Sequence, residues 1–203
     1  MRNLVLLGLG ILIGLVLVLV GWKALAPPYQ YQGSLIDPPV KAADFTLIDQ
    51  DNKPWTLSDQ SGNVVVIFFG YTSCTDVCPL TLSIFKQVET ILDFPENLLF
   101  TYITVDPERD TPEVLKKNLQ NFDPKFIGLT ENLATLEPVW KDYGVFRQKV
   151  ETDSPTGYMM DHSATTYIID QQGNWKLTYP YGTDARMISE DIHNLLSEGK
   201  KEK

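Results

Sequence analysis

Apolar residues along this chain fall into runs of different length and period, and each kind predicts a different environment. Leu4 to Val20 is seventeen residues of Leu, Val, Ile and Gly without a charge. With Gly21 and Trp22 the run reaches about nineteen, near the low end of what crosses ~30 Å of hydrocarbon. Arg2 precedes it and Trp22 and Lys23 come after it, which places the N-terminus in the cytoplasm and the rest of the chain outside. The competing reading is a cleaved signal segment, because Ala24-Leu25-Ala26 has the small-x-small form of a cleavage site. Both readings export the domain. Residues 24–39, with four prolines between Pro27 and Pro39, are expected to form an extended tether. The domain is expected over 40–197, with a charged tail at 198–203.

Within the domain, Phe45 to Ile48 and Trp55 to Leu57 flank the polar Asp49-Gln50-Asp51-Asn52-Lys53, which predicts an opening β-hairpin. Val64 to Phe69 is an unbroken β-branched and aromatic run, the pattern of a strand buried on both faces, and Leu98 to Val105 repeats it. Between them Leu80, Ile84, Val88 and Ile91 predict an amphipathic helix over Pro79–Leu92. Thr111-Pro112-Glu113 caps a second helix through Leu115 and Leu119. A short strand is expected at Phe126–Leu129, with Thr130 capping a helix that ends at Gly144, and Pro138 inside it argues for a kink or a later start. Thr165–Ile169 and Trp175–Tyr179 enclose turn residues and predict a hairpin. Asp184 then caps a last helix with Ile188, Ile192, Leu195 and Leu196 on one face. This β-α-β-α order closed by a hairpin and a helix predicts an α/β domain of thioredoxin type with an N-terminal hairpin extension, preceded by a single transmembrane helix.

Charge and cysteine count narrow the function. Seventeen basic and 26 acidic groups give a net −9 over 203 residues. Nucleic-acid binding is therefore not expected, since neutralising phosphates needs a basic face. Two cysteines are too few for a disulfide scaffold. No Gly-rich phosphate loop, nucleophile elbow or paired-histidine metal motif is present in the sequence.

The chemistry concentrates at Cys74 and Cys78, separated by Thr75-Asp76-Val77 and set between a buried strand and a helix. A helix N-terminus favours thiolate, the form that binds metals and attacks disulfides. A purely structural disulfide is the bland alternative, but closing so short a loop stabilises by only about 2 kcal/mol. Two soft thiolates select Cu(I) or zinc and need a third donor. Of the two histidines, His193 lies on the polar flank of the last helix and reads as an ordinary surface residue. His162, in what reads as a polar loop just before Thr165–Ile169, is 84 residues from Cys78 in sequence, yet a thioredoxin-type fold brings that loop against the cysteine turn. Asp161 is a candidate for orienting the ring or its loop, and Met159 and Met160 are thioethers whose commoner role is packing. The stretch Asp106 to Pro112 reads as loop architecture, with Arg109 paired to neighbouring acids, more than as an acid/base site.

These residues resemble the Sco/SenC family, proteins that help assemble the copper A centre of cytochrome c oxidase. The resemblance runs through Phe69-Gly70-Tyr71-Thr72, Cys74-x-x-x-Cys78-Pro79, Thr104 to Pro112, Gly128-Leu129-Thr130, Tyr158 and Asp161-His162-Ser163. One departure is Thr75, where family members often carry proline. The resemblance implies a thioredoxin-like domain binding one copper, Cu(I) or Cu(II), through Cys74, Cys78 and His162. It also implies delivery to the oxidase copper A subunit; the expected export through a membrane anchor gives a periplasmic location, where Cys74 and Cys78 would oxidise and a thiol reductant protein is expected as a second partner. Two other functions use the same site: a thiol:disulfide oxidoreductase acting on the apo-oxidase through Cys74 and Cys78, and a copper or redox sensor.

Overall fold

Eight strands form the central sheet in a computed structural model that describes residues 8, 10, 11, 13–15, 27–152 and 157–199, in the order β1 (Ser34–Lys41), β10 (Asn174–Tyr179), β9 (Thr166–Ile169), β4 (Val64–Gly70), β5 (Leu98–Thr104), β6 (Ile127–Thr130), β2 (Thr46–Asp49), β3 (Pro54–Thr56). The anchor expected over 1–23 and most of the tail at 198–203 lie largely outside the described residues. Among the described residues no helix is long and apolar enough to cross a membrane. The chain divides into a unit Met1–Gln30 and a larger unit Tyr31–Lys203, and the second holds the sheet.

The sheet is organised around β4 (Val64–Gly70), every residue of which is buried. It pairs in parallel with β5 (Leu98–Thr104), which pairs in parallel with β6 (Ile127–Thr130). On the other side β4 pairs antiparallel with β9 (Thr166–Ile169), and β9 with β10 (Asn174–Tyr179). The opening hairpin β2 (Thr46–Asp49) and β3 (Pro54–Thr56) adds to the far side through β6. Alternate β4 side chains serve opposite faces. Phe68 packs edge-on against Phe85 of α1 (Val77–Ile91), while Phe69 packs against Tyr143 and Tyr167. A strand covered on both faces cannot use a polar residue at either, which is why its sequence is continuous rather than alternating.

Helix ends obey the caps. Thr111 accepts from the Val114 amide to start α2 (Pro112–Leu119), and Asp184 accepts from the Arg186 amide to start α4 (Ala185–Glu198). The third helix differs from expectation. Asn132, not Thr130, caps α3 (Leu133–Asp142), because Thr130 is still paired in β6. Pro138 neither delays nor shortens α3; burial of Leu136, Val139 and Trp140 offsets the hydrogen bond its ring nitrogen cannot make. Gly144 comes next at φ +63°, the left-handed conformation that ends a helix without strain only in glycine.

Three further expectations change. In α1 the buried stripe is Cys78, Leu82, Phe85 and Val88, whereas Leu80 and Ile91 are exposed. The helix begins two residues earlier than Pro79, so the cysteine itself occupies the core-facing position. The Pro-rich stretch is extended as expected, but its second half is the edge strand β1 (Ser34–Lys41), paired with β10, rather than free tether. Residues just ahead of it are clamped to α4: the buried Asp191 carboxylate accepts from the amides of Gln32 and Gly33 and from the Tyr179 hydroxyl. A domain begun at Val40 would lose nearly all of β1 and this clamp. Finally, β7 (Arg147–Glu151) and β8 (Tyr158–His162) form a separate two-stranded ribbon where the sequence pattern predicts only loop.

Candidate metal centre

Strand β4 ends in Gly70, and the chain turns through Tyr71 to Asp76 before α1 begins. The Cys74 amide donates to the Tyr71 carbonyl at 3.2 Å, which closes the turn and leaves the Cys74 side chain half-buried. Cys78 is the second residue of α1 and is buried. Its amide donates to the Cys74 sulfur at 3.4 Å, one of the free N–H groups of a helix start. Both thiols are free.

His162 is the last residue of β8, not part of a loop, and this strand end delivers it to the cysteines. Its Nε2 lies 3.8 Å from the Cys78 sulfur. Its Nδ1 is 2.9 Å from the Ser163 carbonyl, which can only accept, so Nδ1 carries the proton and Nε2 presents its lone pair to the sulfurs. Edge contacts to Phe68 and Tyr71, with ring centroids 6.2 and 5.7 Å away, hold the imidazole in place. The ring is thus oriented by a backbone carbonyl rather than by Asp161, which is exposed on the rim of the cleft. That cleft, about 360 Å³, is lined by Cys74, Asp76, Phe146, Met159, Asp161 and His162 among others. Met159 is exposed at its edge, Met160 is buried, and His193 is exposed on α4 away from it.

The pair is electrostatically unequal. A hydrogen bond from the Cys78 thiol, with further ones from the amides of Cys78 and Asp76, outweighs burial and holds Cys74 down to about 3. Cys78, which gives that hydrogen bond and is buried, is pushed far up. Cys74 is therefore the standing thiolate and Cys78 the proton holder. In the reduced, metal-free chain iodoacetamide should modify Cys74 at least about tenfold faster than Cys78 at neutral pH. Mass spectrometry of the peptides measures this, and equal rates would contradict the assignment.

Two soft sulfurs and one neutral imidazole suit a soft monovalent or borderline cation and not a hard one. Among the described residues no group of three or more His, Cys, Asp or Glu is arranged to hold a metal as it stands.

The segment from Asp106 to Asp110 ties the two halves of the site together, a role beyond the loop architecture that its sequence suggests. Buried Asp110 accepts from the Thr72 amide at 3.1 Å, the Thr72 hydroxyl at 2.5 Å and the Thr104 hydroxyl at 2.7 Å, fixing the cysteine turn. Arg109 pairs with buried Asp106, donates to the Tyr158 carbonyl at 3.1 Å and lies 3.7 Å over the Tyr158 ring, fixing the ribbon that carries His162. The Tyr158 hydroxyl donates to Asp106 at 2.9 Å. The signal in the sequence is three acids and an arginine shortly after an almost wholly buried strand, where a buried charge needs a partner.

A thioredoxin-like α/β domain with two free thiols at the strand-to-helix turn and an imidazole facing them defines a thiol–imidazole site on a redox-type scaffold. A model of the SCO1/SenC family matches residues 34–197, and the chain belongs to that family. An SCO2-like protein of Rickettsia felis is 37% identical over 177 residues, 86% of either chain. Among solved structures, ScoI of Bradyrhizobium japonicum with copper bound is similar at TM-score 0.71 and 34% identity, covering 77% of this chain and 100% of that one. Apo Sco1 of Thermus thermophilus is similar at TM-score 0.73 and 32% identity, covering 84% and 100%.

Proposed function

We propose that this protein carries one copper, bound by Cys74, Cys78 and His162, and hands it to the copper A subunit of cytochrome c oxidase from a membrane tether formed by the run Leu4–Val20. The observation that carries this reading is the His162 Nε2 lone pair aimed at the Cys78 sulfur at 3.8 Å, since ligation needs a third donor and dithiol exchange does not. Copper bound in a similar relative supports the choice of metal. The family resemblance supplies the recipient. Copper is cargo here, and the residues supply its soft donors. Cys78 must lose its proton on loading, so binding releases protons and weakens as pH falls.

A second reading draws on Cys74. A half-exposed thiolate can attack a disulfide of the apo-oxidase, forming a mixed disulfide and expelling one thiolate. Cys78 then attacks Cys74, releasing the partner as a dithiol and leaving the Cys74–Cys78 disulfide. Copper and that disulfide exclude each other, so an external thiol reductant is required before loading.

The test mixes an oxidised or reduced oxidase copper-domain fragment with the reduced full-length chain and its His162→Ala form, tracking copper transfer and disulfide reduction separately. A carrier loses transfer in the variant while exchange persists. Fast exchange in both forms without copper dependence supports the reductase. Copper held but never passed on overturns delivery and points to a sensor.

A further inference from the structure

The ribbon that carries His162 is fastened to the domain by side chains rather than by strand pairing, for among the described residues β7 and β8 pair only with each other. A two-stranded ribbon by itself is marginally stable in water, so groups outside it must fix where its imidazole stands. Arg147, the first residue of β7, is the register partner of His162, and directly opposed residues of an antiparallel pair project from the same face. Its Nε donates to the Val105 carbonyl at 3.0 Å, and its guanidinium lies 4.5 Å over the ring of buried Trp140. Trp140 is held in turn by a 3.1 Å hydrogen bond from its Nε1 to the Thr104 carbonyl. Val105, wholly buried, serves both halves of the site: its amide donates to the Gly70 carbonyl at 2.8 Å, where the cysteine turn begins, and its carbonyl accepts from Arg147.

We propose that Arg147 is a positioning residue for metal binding: by pinning β7 to Val105 and Trp140 it sets the distance between the imidazole of His162 and the two sulfurs. The inference rests on the copper reading above. A ligand set must be held to within about 0.5 Å, and a ribbon free to pivot at the strand end opposite His162 cannot hold one of its donors that closely. Arg109, through the Tyr158 carbonyl and ring, fastens the other end of β8, so the two guanidinium groups hold the ribbon at both ends. The cysteine turn has a separate support in Asp110, and the bond from the Val105 amide to Gly70 does not involve Arg147. Loss of Arg147 therefore acts on the imidazole and leaves the thiols as they are. It separates copper binding from dithiol chemistry without touching a ligand.

The experiment is a double-mutant cycle in the full-length chain, with Arg147→Ala made alone and together with His162→Ala. Cu(I) competition against a chromophoric chelator gives the affinities, and the iodoacetamide rate at Cys74 reports the metal-free thiols. Arg147→Ala is expected to weaken Cu(I) binding about tenfold, to add nothing once His162 is alanine, and to leave the Cys74 rate unchanged. Arg147→Lys, which keeps the charge and loses the planar guanidinium, should recover part of the affinity. If Arg147→Ala does not fold, the same cycle is run on Arg109→Lys, with a smaller loss expected that again vanishes without His162. Unchanged affinity overturns the proposal. An equal loss in the His162→Ala background, or an altered Cys74 rate, also overturns it, since Arg147 then serves the cysteine turn or the whole fold. A wild-type chain that binds no copper overturns the copper reading itself, which separates that failure from this one.

Discussion

Replacing Cys78 with alanine in the full-length chain is expected to lower Cu(I) affinity by more than about a hundredfold, a larger loss than removal of an outer-shell partner causes. Cys78 is the sulfur in direct contact with His162, and its loss leaves one half-exposed thiolate and an imidazole, a two-donor site that water and external thiols outcompete. Cys74→Ala should act similarly. His162→Ala should weaken binding strongly while leaving both thiols, and exposed His193→Ala should change nothing. Competition titration under reducing conditions reads all four, with one copper per chain in the wild type. Normal affinity in the His162 variant, or a second tightly held copper, would sink the ligand assignment.

Asp110→Ala should be the most damaging substitution outside the ligands. It removes a carboxylate that accepts three hydrogen bonds, among them that of the Thr72 amide in the cysteine turn. Leaving such donors buried and unpaired costs about 3 kcal/mol or more. Denaturant unfolding measures this, and a loss below about 1 kcal/mol would show that the turn does not depend on it. The pH dependence has a definite sign. Burial raises the Asp110 carboxyl above its ordinary value, so the folded chain binds that proton more tightly than the unfolded chain does. Its contribution is therefore full at low pH and declines as pH rises from the ordinary carboxylate value through the raised one. Asp110→Asn should flatten that part of the stability profile.

Much of the domain is written in local pattern. The unbroken Val64–Phe69 run makes β4, the caps at Thr111 and Asp184 start α2 and α4, and turn residues place the β9–β10 hairpin. These features depend on backbone conformation and on burial of whole faces, which neighbouring residues determine together. The cysteine pair at the strand-to-helix turn was legible for the same reason. Identifying His162 as its companion took the assumed fold as well, since no local pattern links residues so far apart.

Sequence by itself thus determined the order of most elements, the buried central strand, the net acidic charge and which soft side chains stand at the strand-to-helix turn. Only the tertiary structure decided that Pro-rich residues complete the sheet as β1, that His162 ends a strand with its free nitrogen toward Cys78, and that Asp106, Arg109 and Asp110 join the two halves of the site. Hydrogen-bond partners across the fold are set by distances between elements remote in sequence, and a buried polar group reveals its purpose only when the groups packed around it can be counted.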